Sequence, residues 1–486
     1  MTPLFSLSEL ILESSFINGV WQDASDGKRF DVVNPATGER LASVPHLMRS
    51  DVHLAVDAAV TAFPGWRDKL AEERAGLLKK WHRLILDHTE ELALLMTMEQ
   101  GKPLKESRGE IAYAASFVEW FAEEARRSYG DVIPTHMAGK RILALKQPVG
   151  VVAAITPWNF PAAMITRKVA PALAVGCTVL VKPSELTPLT ALALAKLSEI
   201  AGIPPGVFNV LTTKDPEAFG SAVMEREDVR KISFTGSTRV GKILLRQAAD
   251  SVKRVSLELG GNAPFIVFND AHLESAVEGA IASKYRNAGQ TCVCSNRIFV
   301  QSGIYEPFLK LYTQAVERLS VGPGDQEDSD IGPLINAAAL DKVKSLIQKA
   351  VADGAKIVCG GGGHERGGTF FEPTILTDVQ DSMAISKDEI FGPVSTLHTF
   401  ESEDEVIERA NNTPYGLASY FYTQDLARSW RVSEKLDFGI VGINTGLIST
   451  TVAPFGGMKE SGLGREGSKY GIEEYLETKY VCVGGL

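Results

Sequence analysis

The sequence has few cysteines, and their spacing argues against a disulfide framework. Five occur among 486 residues, at positions 177, 292, 294, 359 and 482. Their number is odd, and apart from the pair at 292 and 294 they lie far apart, whereas disulfide-rich secreted domains carry even, closely spaced sets. We therefore expect a reducing compartment.

Long apolar runs, a leader and blocks of like charge are also missing. No segment approaches the roughly 20 apolar residues of a membrane span, and residues 1–15 contain no Lys or Arg, so we expect neither a membrane helix nor a secretory signal or presequence. The net charge of -10 is spread without a basic stripe, which gives no reason to expect nucleic acid or an anionic membrane as a partner. The expectation is a soluble, cytoplasmic protein that acts on a small molecule.

The hydrophobic pattern predicts an α/β protein of more than one domain. The Asn-Gly pair in "FINGVWQD" (16–23) predicts a hairpin, and a helical pattern covers residues 51–128. Between 149 and 258, five apolar runs alternate with four helical stretches, which predicts a doubly wound parallel sheet of the Rossmann type. A second alternation from 263 to 444 predicts a second α/β domain.

We assign residues 1–128 and 149–258 to the first domain and residues 259–454 to the second. Two remaining segments, 129–148 and 470–486, contain "RILALKQ" and "TKYVCVGGL", which alternate like exposed strands. Exposed strands often pair with another subunit. We therefore expect these segments to form a small β element for oligomerisation.

The best phosphate-binding candidate is "KISFTGSTRVGK" (231–242). A buried strand there runs into Gly236-Ser237 and then a helix, whose N-terminus suits a phosphate, although "TGS" is also an ordinary helix cap. The formal G-x-G-x-x-G match "GLGREG" (462–467) is better interpreted as a turn, because too little chain follows it for the required helix and second strand.

A second strand end, "VLVKPSE" (179–185), carries Lys182 and Glu185. In an open parallel sheet the ligand lies beyond the carboxyl ends of the strands, so this segment should face the same crevice as Gly236. A carboxylate there accepts ribose hydroxyls and repels a 2'-phosphate, which favours NAD over NADP. The alternative is a solvated Lys and Glu on a loop.

Two further strand ends carry polar residues with alternative roles. Asn159 is either a helix cap or an amide donor to a developing oxyanion. Phe160 and Arg167 follow on one helical face; Arg167 is either a surface residue or, if buried, needs an anionic partner. Glu258, beside a glycine pair, either points to solvent or acts as a general base.

The pair Cys292 and Cys294 lies in "NAGQTCVCSNR" (287–297). The spacing argues against a zinc site, because no His or second Cys pair lies nearby, and a permanent disulfide does not fit a reducing compartment. Packing or reactivity remains, and the polar segment before Cys292 favours a nucleophile. Because an unperturbed thiol has a pKa of about 8.5, we expect the site to favour the thiolate.

Seven ordered motifs resemble those of the NAD(P)-dependent aldehyde dehydrogenases over nearly the whole chain: "PWNFP", "VKPSE", "FTGS", "LELGGNAP", "GQTC", "EIFGPV" and "PFGGMKESGLGREG". More narrowly, "NFPAAMITRK", "YRNAGQTCVCSNR" and "GLIST" are similar to the succinate-semialdehyde dehydrogenase branch. The resemblance implies an NAD(P)-binding first domain, a catalytic second domain, a homotetramer or homodimer, and a place in GABA degradation.

The resemblance also implies roles for named residues. Cys292 attacks the aldehyde, Asn159 and the Cys292 N–H hold the oxyanion, hydride passes to the nicotinamide, and Glu258 activates the water that hydrolyses the thioester. Lys182 joins this catalytic set. The residues implied for the cofactor are Trp158, Lys182, Ser184, Glu185, Gly236, Ser237, Glu389 and Phe391.

The implied substrate residues are Phe160, Arg167, Arg286 and Ser449. Two guanidinium groups and a hydroxyl would select an aldehyde with a distal carboxylate. This is succinate semialdehyde or, alternatively, its five-carbon homologue glutarate semialdehyde or another acidic semialdehyde. Cys294 is a candidate for a reversible, redox-regulatory disulfide with Cys292, against a plain packing role. The remaining alternatives are a catalytically silent scaffold and a cofactor-free thiol esterase.

Overall fold

The computed structural model describes residues 4–486. Residues 1–3 lie outside the described residues. They are the start of the segment 1–15, in which we expect no secretory signal or presequence. None of the helices in this range combines the length and the apolar character that crossing a bilayer requires.

Helices and strands alternate along most of the described chain. The helices are α1 Leu7–Leu10, α2 Arg49–Arg67, α3 Ala71–Asp87, α4 Thr89–Gln100, α5 Leu104–Glu124, α6 Ala163–Val175, α7 Leu189–Ala201, α8 Pro216–Glu225, α9 Thr238–Ala249, α10 Leu273–Lys284, α11 Tyr305–Val316, α12 Ala337–Ala352, α13 Ala384–Lys387, α14 Glu403–Asn411 and α15 Leu426–Lys435. The strands are β1 Ser15–Ile17, β2 Val20–Gln22, β3 Arg29–Val33, β4 Arg40–Pro45, β5 Asp131–Ile133, β6 Lys140–Pro148, β7 Val151–Ile155, β8 Thr178–Lys182, β9 Phe208–Val210, β10 Val229–Thr235, β11 Arg254–Glu258, β12 Ala263–Val267, β13 Ser295–Gln301, β14 Lys356–Cys359, β15 Thr374–Thr377, β16 Val394–Phe400, β17 Tyr415–Gly416, β18 Ala418–Tyr422, β19 Ile440–Ile443, β20 Met458–Lys459, β21 Gly462–Leu463 and β22 Leu476–Gly484.

The first large sheet has the order β2-β1-β9-β8-β7-β10-β11-β21. Its strands from β7 to β11 run parallel and are connected by α6 to α9, which confirms the predicted doubly wound sheet. The β1–β2 hairpin turns at Asn18 and Gly19, whose φ angles of 53° and 74° suit an Asn-Gly turn. The strand order reverses between β7 and β10, so a ligand crevice is expected at their carboxyl ends.

Helix α6 follows β7 and is buried along its whole length. Its apolar residues belong to the same core as those of α3 and α5. Arg167 and Lys168 lie within this helix, so both charged side chains are forced into the protein interior. Each therefore needs a partner that compensates its loss of hydration.

The second large sheet, of order β14-β15-β16-β13-β12-β18-β19, confirms the second α/β alternation. Its pairs are parallel except β14 with β15. The strand of "GLGREG", β21, pairs antiparallel with Leu257 and Glu258 at the end of β11, so this segment closes a sheet edge and does not follow a buried strand as a phosphate loop would.

The two segments expected to pair with another subunit pair with each other. Strand β22 lies antiparallel to β6 from Leu476 opposite Pro148 to Gly484 opposite Lys140. Strand β5 flanks β6 on its other side, which completes a small three-stranded sheet. The backbone hydrogen bonds of β6 and β22 are therefore made within the chain. The alternating sequence pattern predicted exposed strands but did not identify which strand pairs with which.

Candidate active site

A cavity of about 260 Å³ lies at the carboxyl ends of β7 and β10, where the strand order reverses. Its wall includes Cys292 and Asn159. The residues predicted for the cofactor that share this wall are Trp158, Gly236, Ser237, Glu389 and Phe391. The sheet topology therefore brings the candidate nucleophile, the candidate oxyanion donor and five of the eight predicted cofactor residues to one place.

The chain before Cys292 adopts a conformation that only a supporting network can hold. Asn287, Ala288 and Gly289 have φ angles of 52°, 54° and 74°, and the left-handed region costs an L-residue about 1–2 kcal/mol. Gln290 Nε2 donates to the Asn287 carbonyl at 3.1 Å, and Gln290 Oε1 accepts from the backbone N–H of Ile335 at 3.0 Å. A side chain at Gly289 would collide with the Gly392 carbonyl oxygen.

Asn159 is buried in the loop between β7 and α6. Its Nδ2 donates to the carbonyl oxygen of Gln290 at 3.0 Å, which links this loop to the nucleophile segment. A carboxamide has two N–H donors, so one remains for a ligand oxygen beside Cys292. The geometry suits the predicted oxyanion role.

The expectation of a stabilised Cys292 thiolate is wrong for this structure. Burial and the nearby Glu389 carboxylate raise the pKa of Cys292 to about 12, and Glu258 adds to the shift. The positive charges of Arg167 and Arg286 lower this pKa, but by less. Cys292 is therefore a neutral thiol at neutral pH, and its proton must leave when it attacks.

Glu258 ends β11 deep inside the protein, so the solvent-pointing alternative is excluded. Its Oε2 has no hydrogen-bond partner among the described residues. Burial, followed by the Glu466 carboxylate, raises the pKa of Glu258 well above its usual range, against the lowering effects of Arg167 and Lys168. Such a carboxylate is a strong base once it is ionised.

Arg167 has an anionic partner within the chain. Its Nε lies 2.6 Å from Glu466 Oε2, and its guanidinium carbon lies 4.1 Å from the Phe455 ring centroid. Lys168 pairs with the other oxygen of Glu466. Arg167 Nη2 nevertheless has no hydrogen-bond partner among the described residues, which leaves one buried donor free.

The other substrate candidates surround Phe160. The Arg286 guanidinium lies 5.4 Å from the Phe160 ring centroid and has no carboxylate within ion-pair distance in residues 4–486. Tyr113, which was not predicted from the sequence, has a buried hydroxyl without a partner in the described chain. Burial raises its pKa, and the charges of Arg167 and Arg286 oppose this. Ser449 is half-buried in the loop after β19, and no hydrogen bond joins it to either arginine in this range.

The remaining cofactor candidates lie at the end of β8. Lys182 Nζ is 3.2 Å from Glu185 Oε2 and donates to the Pro183 carbonyl at 3.0 Å. Burial lowers the pKa of Lys182, and Glu185 opposes this. Ser184 Oγ accepts from the backbone N–H of Leu186 at 3.2 Å, which shapes the turn.

The cavity wall fits a nucleotide cofactor. Ser237 caps α9, with its Oγ accepting from the Val240 N–H at 3.4 Å, so free N–H groups and a helix N-terminus face the cavity. A Cβ on Gly260 would lie 3.0 Å from Glu389 Oε2, so the glycine leaves this space open. Burial raises the pKa of Glu389 to about 7, and the Phe391 ring meets Trp158 edge-on at 5.6 Å.

Cys294 lies behind Cys292 and is buried. Its Sγ donates to the Lys284 carbonyl at 3.1 Å, and both cysteines are free thiols. The regulatory disulfide therefore stays a prediction. Within the described chain no group of three or more His, Cys, Asp or Glu residues is arranged to hold a metal ion.

Four residues that support the site were not predicted from the sequence: Lys102, Glu110, Lys168 and Glu466. Glu466 is almost 300 positions from Arg167 and Lys168, and no local pattern connects such distant residues. The available signal was indirect. A helix as apolar as α6 that carries two adjacent cations requires an acidic partner elsewhere.

Comparison with known proteins agrees with the enzyme site that the geometry indicates. The model of the aldehyde dehydrogenase family matches residues 21–481. The chain is 57% identical over 477 residues to the NADP(+) succinate-semialdehyde dehydrogenase GabD of Escherichia coli K12, covering 98% of this chain and 99% of that protein. It is 56% identical to the glutarate-semialdehyde dehydrogenase of Pseudomonas aeruginosa, covering 99% of both. The crystal structure of succinate-semialdehyde dehydrogenase from Burkholderia pseudomallei superimposes with a TM-score of 0.97 at 55% identity, over 98% of this chain and 99% of that one.

Proposed function

The chain belongs to the aldehyde dehydrogenase family, and we propose that it oxidises succinate semialdehyde to succinate with NAD(P)+. One observation carries the choice of substrate. Arg286 has no carboxylate within ion-pair distance in residues 4–486, Arg167 keeps one buried donor unpaired, and both charges act on the Cys292 thiol. Guanidinium donors near a nucleophile that have no partner within the described chain suit an aldehyde with a carboxylate at its far end.

The residues of the chain account for the protein side of the reaction. Cys292 Sγ bonds to the aldehyde carbon and gives up its proton. The free N–H of the Asn159 amide and the backbone N–H of Cys292 donate to the oxygen that becomes negative, and one such donor is worth about 10²–10³ in rate. The buried Glu258 carboxylate then takes a proton from the water that releases succinate from the thioester.

The cofactor contacts are proposed from the cavity and the adjoining strand ends. When bound, NAD(P)+ supplies the acceptor for the hydride of the aldehyde. Gly236 and Ser237 would lie near the pyrophosphate, Glu389 and Phe391 near the nicotinamide ribose, and Lys182 and Glu185 near the adenosine ribose, with Trp158 and Ser184 beside them. The Glu185 carboxylate supports NAD, whereas the name of the Escherichia coli relative supports NADP as the second candidate.

Glutarate semialdehyde is the second candidate substrate, because a relative of almost the same identity carries that name. One methylene in a pocket is worth only about 1–3 kcal/mol, so the same arginines accept both lengths with modest discrimination.

We also propose the domain roles and a homo-oligomer. Residues 1–128 and 149–258 bind NAD(P), residues 259–454 carry the nucleophile, and residues 129–148 and 470–486 join subunits into a dimer or tetramer. The small sheet of β5, β6 and β22 supports the last role, because it exposes apolar side chains: Val132, Ile133, Leu145, Tyr480 and Val483. A second copy would cover such a patch.

The test is a substrate and cofactor panel on freshly reduced protein. We expect the highest kcat/KM with succinate semialdehyde, a lower one with glutarate semialdehyde and the lowest with propanal, with NAD preferred over NADP. The Cys292→Ala variant is the negative control and should show no nicotinamide reduction. Preference for propanal would refute the acidic substrate while leaving the family assignment intact.

A further inference from the structure

Lys102, between α4 and α5, is a fully buried lysine that the mechanism above does not use. Its ammonium pairs with the Glu110 carboxylate, donates to the backbone carbonyl of Asn159 at 2.7 Å and lies 4.0 Å from the Phe160 ring centroid. Burial lowers the pKa of Lys102, and Glu110 opposes this effect. Burying an ammonium group costs free energy unless an ion pair and hydrogen bonds replace its hydration. The hydrogen bond from Lys102 to the Asn159 carbonyl is one of these replacements.

Glu110 connects the same ion pair to the start of α6. Its Oε1 accepts from the backbone N–H groups of Ala162 and Ala163 at 2.9 and 3.2 Å. The ion pair therefore holds the loop that carries Asn159 at two points. One point is the peptide carbonyl of Asn159, and the other is the first turn of the helix.

Asn287 provides the second donor to the Asn159 carbonyl. Its Nδ2 lies 3.1 Å from that oxygen, and its Oδ1 accepts from Gln100 Nε2 at 2.9 Å. A carbonyl oxygen has two lone pairs, and here Lys102 and Asn287 occupy both. This fixes the rotation of the peptide plane from which the Asn159 side chain extends. Asn287 lies in the segment before Cys292. The two proposed oxyanion donors, the Asn159 amide and the Cys292 N–H, are therefore both held by the hydrogen bonds at the Asn159 carbonyl.

We propose that Lys102 is a positioning residue for the oxyanion donor, which it holds through the backbone carbonyl of Asn159. The inference rests on the proposed function of Asn159. Lys102 does not line the cavity, whereas Asn159, to whose carbonyl it donates, does, so Lys102 acts through Asn159 and not on the substrate. A displacement of 1 Å in such a donor can lower a rate by about 10²-fold.

The test compares acylation with alkylation of Cys292 in the Lys102→Met variant. With p-nitrophenyl acetate, Sγ forms a thioester, its proton is lost and p-nitrophenolate leaves, so the reaction passes through an oxyanion. Iodoacetamide alkylates the same sulfur by displacing iodide, without an oxyanion. We expect acylation and the kcat for aldehydes to fall about 10- to 100-fold, while KM changes less than about threefold and alkylation less than about twofold.

Two further variants separate positioning from folding. Lys102→Met with Glu110→Leu replaces the buried pair by apolar side chains, a change that proteins often tolerate, and it should show the same selective loss. Lys102→Arg should restore part of the acylation rate because it can still donate to the Asn159 carbonyl. Lys231→Met is the control, since Lys231 is equally buried but contacts Ser256, Glu474 and Tyr475.

The proposal is refuted if the folded variants acylate at the wild-type rate. Equal losses of acylation and alkylation would also overturn it, because they would indicate a general structural role. Neither reaction requires a semialdehyde or a nucleotide. Failure of the proposed substrate would therefore leave this experiment unaffected.

Discussion

Arg286 offers the cleanest test of how the site recognises a substrate carboxylate. Its guanidinium has no carboxylate within ion-pair distance in residues 4–486 and lies over Phe160, so Arg286→Leu breaks no ion pair. The Arg286 charge also lowers the pKa of Glu106, where the Lys102 charge acts in the same direction and is kept in the variant. Arg167 is less suitable. It pairs with Glu466 and lowers the pKa of Glu258, so its removal would slow the reaction of every aldehyde.

The size of the effect follows from the contact that is lost. A hydrogen bond to a charged group contributes about 1.5–3 kcal/mol, and 1.4 kcal/mol corresponds to a factor of ten. Arg286→Leu should therefore raise the KM for succinate semialdehyde about 10- to 150-fold. Propanal has no charged end, so its KM should change less than about threefold.

Initial rates of nicotinamide reduction with both aldehydes measure this difference directly. The control is Arg318→Leu, which removes an exposed arginine elsewhere in the second domain and should leave both KM values unchanged. If Arg286→Leu changed both substrates by the same factor, or neither, the carboxylate would not be bound by Arg286 and the reasoning would fail.

Two further predictions concern protonation and oxidation. Glu466→Gln removes the carboxylate that raises the pKa of Glu258 and leaves Arg167 and Lys168, which lower it, so the base form should appear at lower pH. The acid limb of the kcat/KM profile should then shift to lower pH; an unchanged or alkaline-shifted limb would contradict the assignment of Glu258 as base. If Cys294 resolves oxidised Cys292, hydrogen peroxide should inactivate the wild type in a form that dithiothreitol restores, and Cys294→Ala should lose this recovery. Equal recovery in both proteins would leave Cys294 with a packing role.

Periodic patterns and turn residues predicted the elements that depend on local sequence. The alternation from residue 149 to 258 gave the parallel strands and their crossovers, and the strand-end motifs gave Asn159 and Gly236, which meet because parallel strands end at one edge. The pairing of β6 with β22 was not predictable, since alternation identifies an exposed strand but not its neighbour. The ion pair of Arg167 with Glu466 depends on contacts across the fold, which one sequence does not encode locally.

The protonation state of a side chain depends on how deeply it is buried. The structure differs most from the sequence-based expectation in the protonation of Cys292. A nucleophilic Cys292 suggested a thiolate, but burial disfavours the charged form of both Cys292 and Glu258. The raised pKa of Cys292 keeps the thiolate, which is the reactive form of cysteine, scarce in the resting site. A bound substrate carboxylate would offset the charges of Arg167 and Arg286, which lower the pKa of Cys292, so the substrate itself cannot activate the thiol electrostatically. Attack by Cys292 therefore requires a proton acceptor within the site. Once ionised, the buried Glu258 carboxylate is a strong base because its pKa is raised, which suits that transfer as well as the later activation of water.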